Sequence, residues 1–132
     1  MMGVNLFVYG TLRHPGIWAA VVPNPYASLP AFLQGYVALR VRDADYPGLV
    51  EREGNSVEGL VYLDVSGDDL RRLDRFEGNE YTRIVVAPKP LVGEEKLTAQ
   101  AYLFRSDCRK RLQTSPWDYD AFLRTAVHRF LP

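Results

Sequence analysis

Cysteine is almost missing from the 132 residues, for Cys108 stands alone. That excludes an internal disulfide, and nothing points to an oxidising compartment. The two histidines, His14 and His128, lie far apart. With one cysteine they are too few to cage a structural zinc ion. Net charge is missing as well: sixteen basic and sixteen acidic residues cancel. A binder of nucleic-acid backbone carries a basic excess or stripe, so that partner class is not expected. No apolar run approaches the roughly twenty residues of a membrane span, and no signal-peptide core follows Met1. A soluble, cytoplasmic protein is expected, with no membrane partner. Without coiled-coil or repeat patterns, a monomer is the default, with a dimer possible.

What is present is a 47% hydrophobic chain, long enough for one domain, residues 1–132, with its own core. Asn5–Tyr9 is a β-branched and aromatic run stopped by Gly10, the pattern of a buried strand entering a sharp turn. Ile17–Val22 reads as a short helix, and the proline-rich stretch Pro23–Pro30 as a loop. Strands are predicted over Phe32–Val41, Val57–Val65, Tyr81–Ala87 and Thr98–Phe104, with a hairpin tip at Glu51–Asn55 and a charged loop at Gly93–Lys96. Ser115-Pro116 is a helix-start pair, and a helix is expected over Trp117–Leu131. Helices and strands do not alternate as βαβ units. The fold class expected is α+β: a small mixed, mostly antiparallel β-barrel flanked by two or three helices.

One short helix carries the most chemical information. Ser66 and Asp69 have the spacing of a capping box, and Gly78 supplies a C-terminal stop. Between them Leu70, Leu73 and Phe76 share one face, with Arg71, Arg72 and Arg75 opposite. Glu77 follows Leu73 by four residues and Leu70 by seven, inside the apolar arc. Two readings stand: an ion pair with Arg83 or Arg40, or a carboxyl kept in poor solvent for proton transfer.

Other candidates gather around turns. Tyr9-Gly10-Thr11-Leu12-Arg13 is a glycine turn whose backbone N–H groups can form an anion-holding nest, though it lacks the second glycine and lysine of a P-loop. Tyr46 precedes Pro47-Gly48, and Tyr81 opens a strand on which Arg83 shares its face. Neither histidine has a serine or cysteine partner that would build a triad. Cys108 lies in a polar segment, Arg105–Lys110, where flanking cations can lower a thiol pKa, but an ordinary loop cysteine is the expectation. Asp74 leans towards the arginine face, which argues against a glycosidase-like carboxylate pair with Glu77.

Several segments, in order, carry a resemblance: Phe7–Leu12, Leu29-Pro30, Tyr46–Val50, Val57–Tyr62, and Asp68 through Leu73–Arg83. Over Asn5 to about Phe104 the chain resembles the gamma-glutamylcyclotransferase-like family, in its short avirulence-induced-gene branch. The resemblance implies a small mixed barrel with helices and no cofactor. It implies intramolecular aminolysis of a γ-glutamyl amide, releasing 5-oxoproline and a free amine. Glu77 maps to the acid/base of the family, and Tyr9, Gly10, Thr11 and Leu12 to its substrate-binding turn; Tyr46 and Tyr81, singled out above by position, are expected to join them as substrate contacts. A non-catalytic module binding a γ-glutamyl ligand is the alternative. The leaving group stays open, since His14–Leu29 matches poorly.

Overall fold

A computed structural model describes residues 3–93 and 95–132. The loop expected around Gly93–Lys96 therefore lies partly outside the described residues, as does the start of the chain at Met1. The chain begins with β1 (Val4–Val8), a 3₁₀ turn at Thr11–Arg13 and α1 (Pro15–Val21). Two long strands, β2 (Ser28–Val41) and β3 (Pro47–Val65), then form a hairpin. α2 (Gly67–Glu77) leads through a 3₁₀ turn to β4 (Tyr81–Val86), then β5 (Lys89–Pro90) and β6 (Ala99–Phe104). A 3₁₀ segment at Ser106–Arg111, β7 (Leu112–Pro116), α3 (Tyr119–Thr125) and a 3₁₀ turn at Val127–Phe130 complete it.

The strands make one sheet in the order β4-β6-β1-β3-β2-β5, with β7 added to β2. Pairing is antiparallel except where β6 meets β1 and β3. The fold is thus α+β with a mostly antiparallel mixed sheet and helices. The sheet curls like a barrel but does not close, because no pairing joins β4 to β5 among the described residues.

Alternation along β1 splits the core. Leu6 and Val8 face the helices, with Ile17 and Trp18 of α1, Leu70 and Leu73 of α2, and Phe122 of α3. Phe7 and Tyr9 face the other way, among Ala31, Leu33, Val61 and Ala101. Successive strand residues point to opposite faces, so a five-residue strand buried on both sides serves two clusters at once.

Four local expectations change. Glu51–Asn55 is exposed but is no hairpin tip; the β2–β3 reversal lies between Val41 and Pro47, residues 42–46. The register jumps from Gln34↔Ser56 to Tyr36↔Glu51, so residues 52–55 are accommodated as a bulge opposite Gly35. Both glycines there, Gly35 (φ 85°) and Gly54 (φ 87°), hold left-handed backbone that L side chains rarely adopt. Ser115-Pro116 does not start a helix, because Pro116 pairs with Leu39 at the edge of β2. Proline suits an edge position, where its missing N–H leaves no ladder bond unmade. The helix instead starts at Asp118, whose carboxylate accepts from the N–H groups of Asp120 and Ala121. It ends at Thr125, short of Leu131. Phe76 is 39% exposed rather than buried with Leu70 and Leu73. Finally, β2 begins at Ser28, so the end of the proline-rich stretch is strand; Pro30 lies opposite Leu60.

Candidate active site

The end of β1 and the last turn of α2 converge on one pocket. Its walls are Phe7, Val8, Tyr9, Gly10, Thr11, Leu12, Tyr46, Pro47, Glu77, Tyr81 and Tyr102. All seven residues singled out in the sequence, Glu77, Tyr9, Gly10, Thr11, Leu12, Tyr46 and Tyr81, are therefore brought together. The pocket is narrow: the centre of a water-sized sphere has about 20 Å³ in which to move, room for about one water.

Glu77 reaches this place because α2 is anchored at both ends. Ser66 accepts from the N–H of Asp69 at 3.2 Å. The return bond of a capping box is made by another residue: the Ser66 N–H donates to the Tyr26 hydroxyl at 3.0 Å. Tyr26 donates in turn to Asp69, at 2.6 Å. At the other end Gly78 (φ 78°) stops the helix one residue after Glu77. Leu70 and Leu73 pin the helix to the sheet, and Glu77 follows their side into the pocket.

No cation neutralises Glu77. Among the described residues it has no ion pair; Arg83 grips Asp74 instead, and Arg40 is exposed. Burial, and then the Asp74 carboxylate, push the Glu77 carboxyl up to about 8. Asp74 is thus turned towards β4 and β6 and not towards the arginine face.

The tyrosines around Glu77 are all spoken for. Tyr9 donates its hydroxyl hydrogen to the Tyr102 carbonyl at 2.6 Å, and Tyr81 to the Pro47 carbonyl at 2.5 Å. Each phenol oxygen keeps its acceptor capacity. Burial raises the pKa of both, with Glu77 adding to the effect. Both stay neutral in ordinary buffers. At the rim Tyr46 donates to Glu80 at 2.8 Å, and Arg111 covers the other Glu80 oxygen. Gly10 allows a close approach: a Cβ there would crowd the Pro47 ring at 3.0 Å. In the 3₁₀ turn that follows, the first bond is Arg13 N–H to Gly10 O at 3.0 Å. The preceding N–H groups of Thr11 and Leu12 are those that such a turn leaves free.

Tyr102, Glu80 and Asp74 were not read as parts of this site from the sequence. The usable signals are the three-residue spacing of Asp74 and Glu77, set aside above as a carboxylate pair, and the alternation of Tyr102 with Ala101 and Leu103. Its register opposite Arg83 is a tertiary matter. A shallow polar groove lined by Asp74, Gly78, Thr82, Arg83 and Gln100 adjoins the pocket, and Tyr81 and Tyr102 line both.

Other candidates fall away from the pocket. His14 caps α1, its Nδ1 accepting from the Gly16 N–H at 3.1 Å, and His128 is exposed. Cys108 is half-buried beside Asp107; burial and that carboxylate push its thiol up, against the direction that flanking cations would favour. No group of three or more His, Cys, Asp or Glu side chains among the described residues is placed to hold a metal ion. No helix among them is long and apolar enough to cross a membrane.

Comparison with known proteins places this geometry. Residues 6–119 match the family described as "Gamma-glutamyl cyclotransferase, AIG2-like". Protein AIG2 C of Arabidopsis thaliana is 28% identical over 127 residues, covering 96% of this chain and 76% of the relative. A solution structure of another Arabidopsis thaliana protein superposes with a TM-score of 0.76 at 27% identity, over 98% of this chain and 78% of that one. A solved gamma-glutamyl cyclotransferase shares the fold, with a TM-score of 0.68 at 20% identity over 77% and 66% of the two chains.

Proposed function

Because the chain belongs to the gamma-glutamyl cyclotransferase, AIG2-like family, we propose that it cyclises a γ-glutamyl amide, with Glu77 carrying the proton. The observation that supports this most is a carboxyl raised to about 8, without an ion pair among the described residues, in a pocket lined by four tyrosines and the Gly10 turn. Such a pocket is rich in acceptors and poor in cations. It suits an ammonium group, which in turn favours the ionised form of Glu77.

The steps follow from that pairing. With the α-ammonium of the γ-glutamyl group beside it, the Glu77 carboxylate removes one proton and frees the amine lone pair. The amine nitrogen attacks the side-chain carbonyl carbon of the same group, forming a five-membered ring. The step is intramolecular by connectivity, and holding the γ-glutamyl group folded removes the remaining cost of bringing amine and carbonyl together. The free N–H groups after Gly10 are suited to the oxyanion or to the α-carboxylate. Glu77 then returns its proton to the leaving nitrogen as the old C–N bond breaks, and the second proton of the ring nitrogen passes through the same carboxylate to the departing amine, giving 5-oxoproline and a protonated free amine. The polar groove beside Tyr81 and Tyr102 is the side on which the leaving group would lie. The pocket is tight, and its rim is the side from which a γ-glutamyl group would enter. Tyr46 is the half-buried residue there.

The test is a panel of γ-glutamyl amino acids, γ-glutamyl-lysine isopeptide and γ-glutamyl amines, with 5-oxoproline read by mass spectrometry. The expected result is product from the wild type and a rate about 10²–10⁴-fold lower from Glu77→Gln. Calorimetric binding without product across the panel would favour the binding-module reading, and equal turnover by the variant would remove Glu77 from the mechanism.

A further inference from the structure

Tyr102 occupies an unusual position, because its two polar groups hold opposite walls of the pocket. Its carbonyl accepts from Tyr9, the residue entering the Gly10 turn, at 2.6 Å. Its hydroxyl donates to Asp74 Oδ1 at 2.7 Å, one helical turn before Glu77. Asp74 is also gripped from β4: Arg83 Nε lies 2.8 Å from Oδ1 and Nη2 3.2 Å from Oδ2. Arg83 Nη1 is itself tied to Gln100 Oε1 of β6 at 2.5 Å. β1, β4 and β6 thereby converge on the last two turns of α2.

Two carboxylates three residues apart on one helix repel each other when both are ionised. A neighbouring arginine would relieve this most simply by pairing with the one in the pocket. Here it is directed to Asp74, and Glu77 is left without a cation. The groups facing Glu77 are Tyr9 from β1, Tyr81 from β4, Tyr102 from β6, Tyr46 from the β2–β3 turn, and Asp74 with its Arg83 partner. The tyrosines are neutral, so Asp74 is the only anion that faces Glu77 among the described residues.

We infer that Tyr102 and Asp74 are positioning residues: Tyr102 spans the pocket from the Gly10 turn to α2, and with Arg83 it holds Asp74 so that Glu77 stays aimed at that turn. This rests on the reading of Glu77 as the proton carrier. The same brace keeps a negative charge beside Glu77, and burial with that charge lets it hold its proton near neutrality.

Tyr102→Phe and Asp74→Asn, singly and together, test this against the wild type. Steady-state kinetics with the best γ-glutamyl substrate should show kcat lowered about 10-fold in each, with KM changed less than about 3-fold. The double variant should be little worse than either single one, because both residues act through one brace. Titration of the Glu77 carboxyl by ¹³C NMR should move to lower pH in Asp74→Asn, by roughly half to one unit. The ascending limb of kcat/KM should follow it. Both variants melting earlier with kcat and the Glu77 titration unchanged would reduce the brace to ordinary packing and overturn the inference. If the wild type yields no 5-oxoproline, the functional reading fails separately. The NMR titration then still decides whether Asp74 governs Glu77. If Asp74→Asn does not fold, Tyr102→Phe, which removes one oxygen, carries the kcat comparison.

Discussion

Glu77 is a residue whose chemistry and whose contribution to stability point in opposite directions. Its carboxyl rises from an ordinary 4.5 to about 8 in the folded chain, through burial first and the Asp74 charge second. The folded state therefore binds this proton more tightly than the unfolded state does. Stability is highest below about pH 4.5 as far as this group is concerned, and falls as pH rises to about 8. Glu77→Gln removes the group that must stay protonated or ionise in poor solvent. The variant should be more stable than the wild type at pH 8, by on the order of 4 kcal/mol, and equal to it near pH 4. Urea titrations at the two pH values check this; an unchanged difference between them would mean that Glu77 is well solvated. Lost turnover together with gained stability is the signature of a group kept for function.

Elements set where that residue stands, and α2 is the element that matters. Its N-terminus is sealed by Asp69, which is fully buried yet surrounded by Tyr26, Asn24 and Arg72. Their hydrogen bonds lower its pKa against the opposing effect of burial. The stabilisation it supplies is thus complete above its ordinary 3.8 and lost as pH falls through the lower folded value. Asp69→Ala removes the shared acceptor of Tyr26, Asn24 and Arg72, and should cost about 2–4 kcal/mol. Tyr26→Phe should cost about 1–3 kcal/mol, because the Ser66 N–H loses its acceptor. Denaturant midpoints at constant slope measure both. Near-equal values would show that Tyr26 rather than Asp69 closes the helix. The sequence announced this helix by Ser66, Asp69 and Gly78, and its bounds agree. The mistaken part was the partner: a capping box predicts a local bond, whereas the bond comes from Tyr26, forty residues before Ser66. The C-terminal helix failed for a related reason. Ser115-Pro116 has the local chemistry of a helix start, but β2 offered an open edge, and pairing there prevailed.

At the scale of the whole molecule, the pocket lies between two cores that share β1. Neither cluster can open alone without exposing the other face of that strand. Trp18 is stacked on Tyr62, with ring centroids 3.6 Å apart, in the α1 region. Trp117 packs against Phe122 near α3. Trp18, on α1, and Trp117, in the link between β7 and α3, report on the same cluster from separate places. Trp117→Phe should leave a fluorescence transition, from Trp18, that coincides with the loss of circular dichroism in urea. Separate midpoints would show that the α1 region melts independently of the sheet.

The chain by itself determined what depends on neighbours in sequence. Binary pattern and turn chemistry made β1 end at Gly10 and α2 end at Gly78. The ordered motifs from Phe7 to Arg83 carried the family, and with it the reading of Glu77. Helical spacing put Glu77 on the side of Leu70 and Leu73, and the pocket contains it. Only the tertiary structure decided what closes around that carboxyl. The register that sets Tyr102 opposite Arg83 and the reach of Arg83 to Asp74 are contacts between residues far apart in the chain. So are the bond from Tyr46 to Glu80 and the bulge opposite Gly35. Such contacts are chosen by the packing of the whole sheet, because many local conformations are compatible with each segment and only one set buries both faces of β1 together.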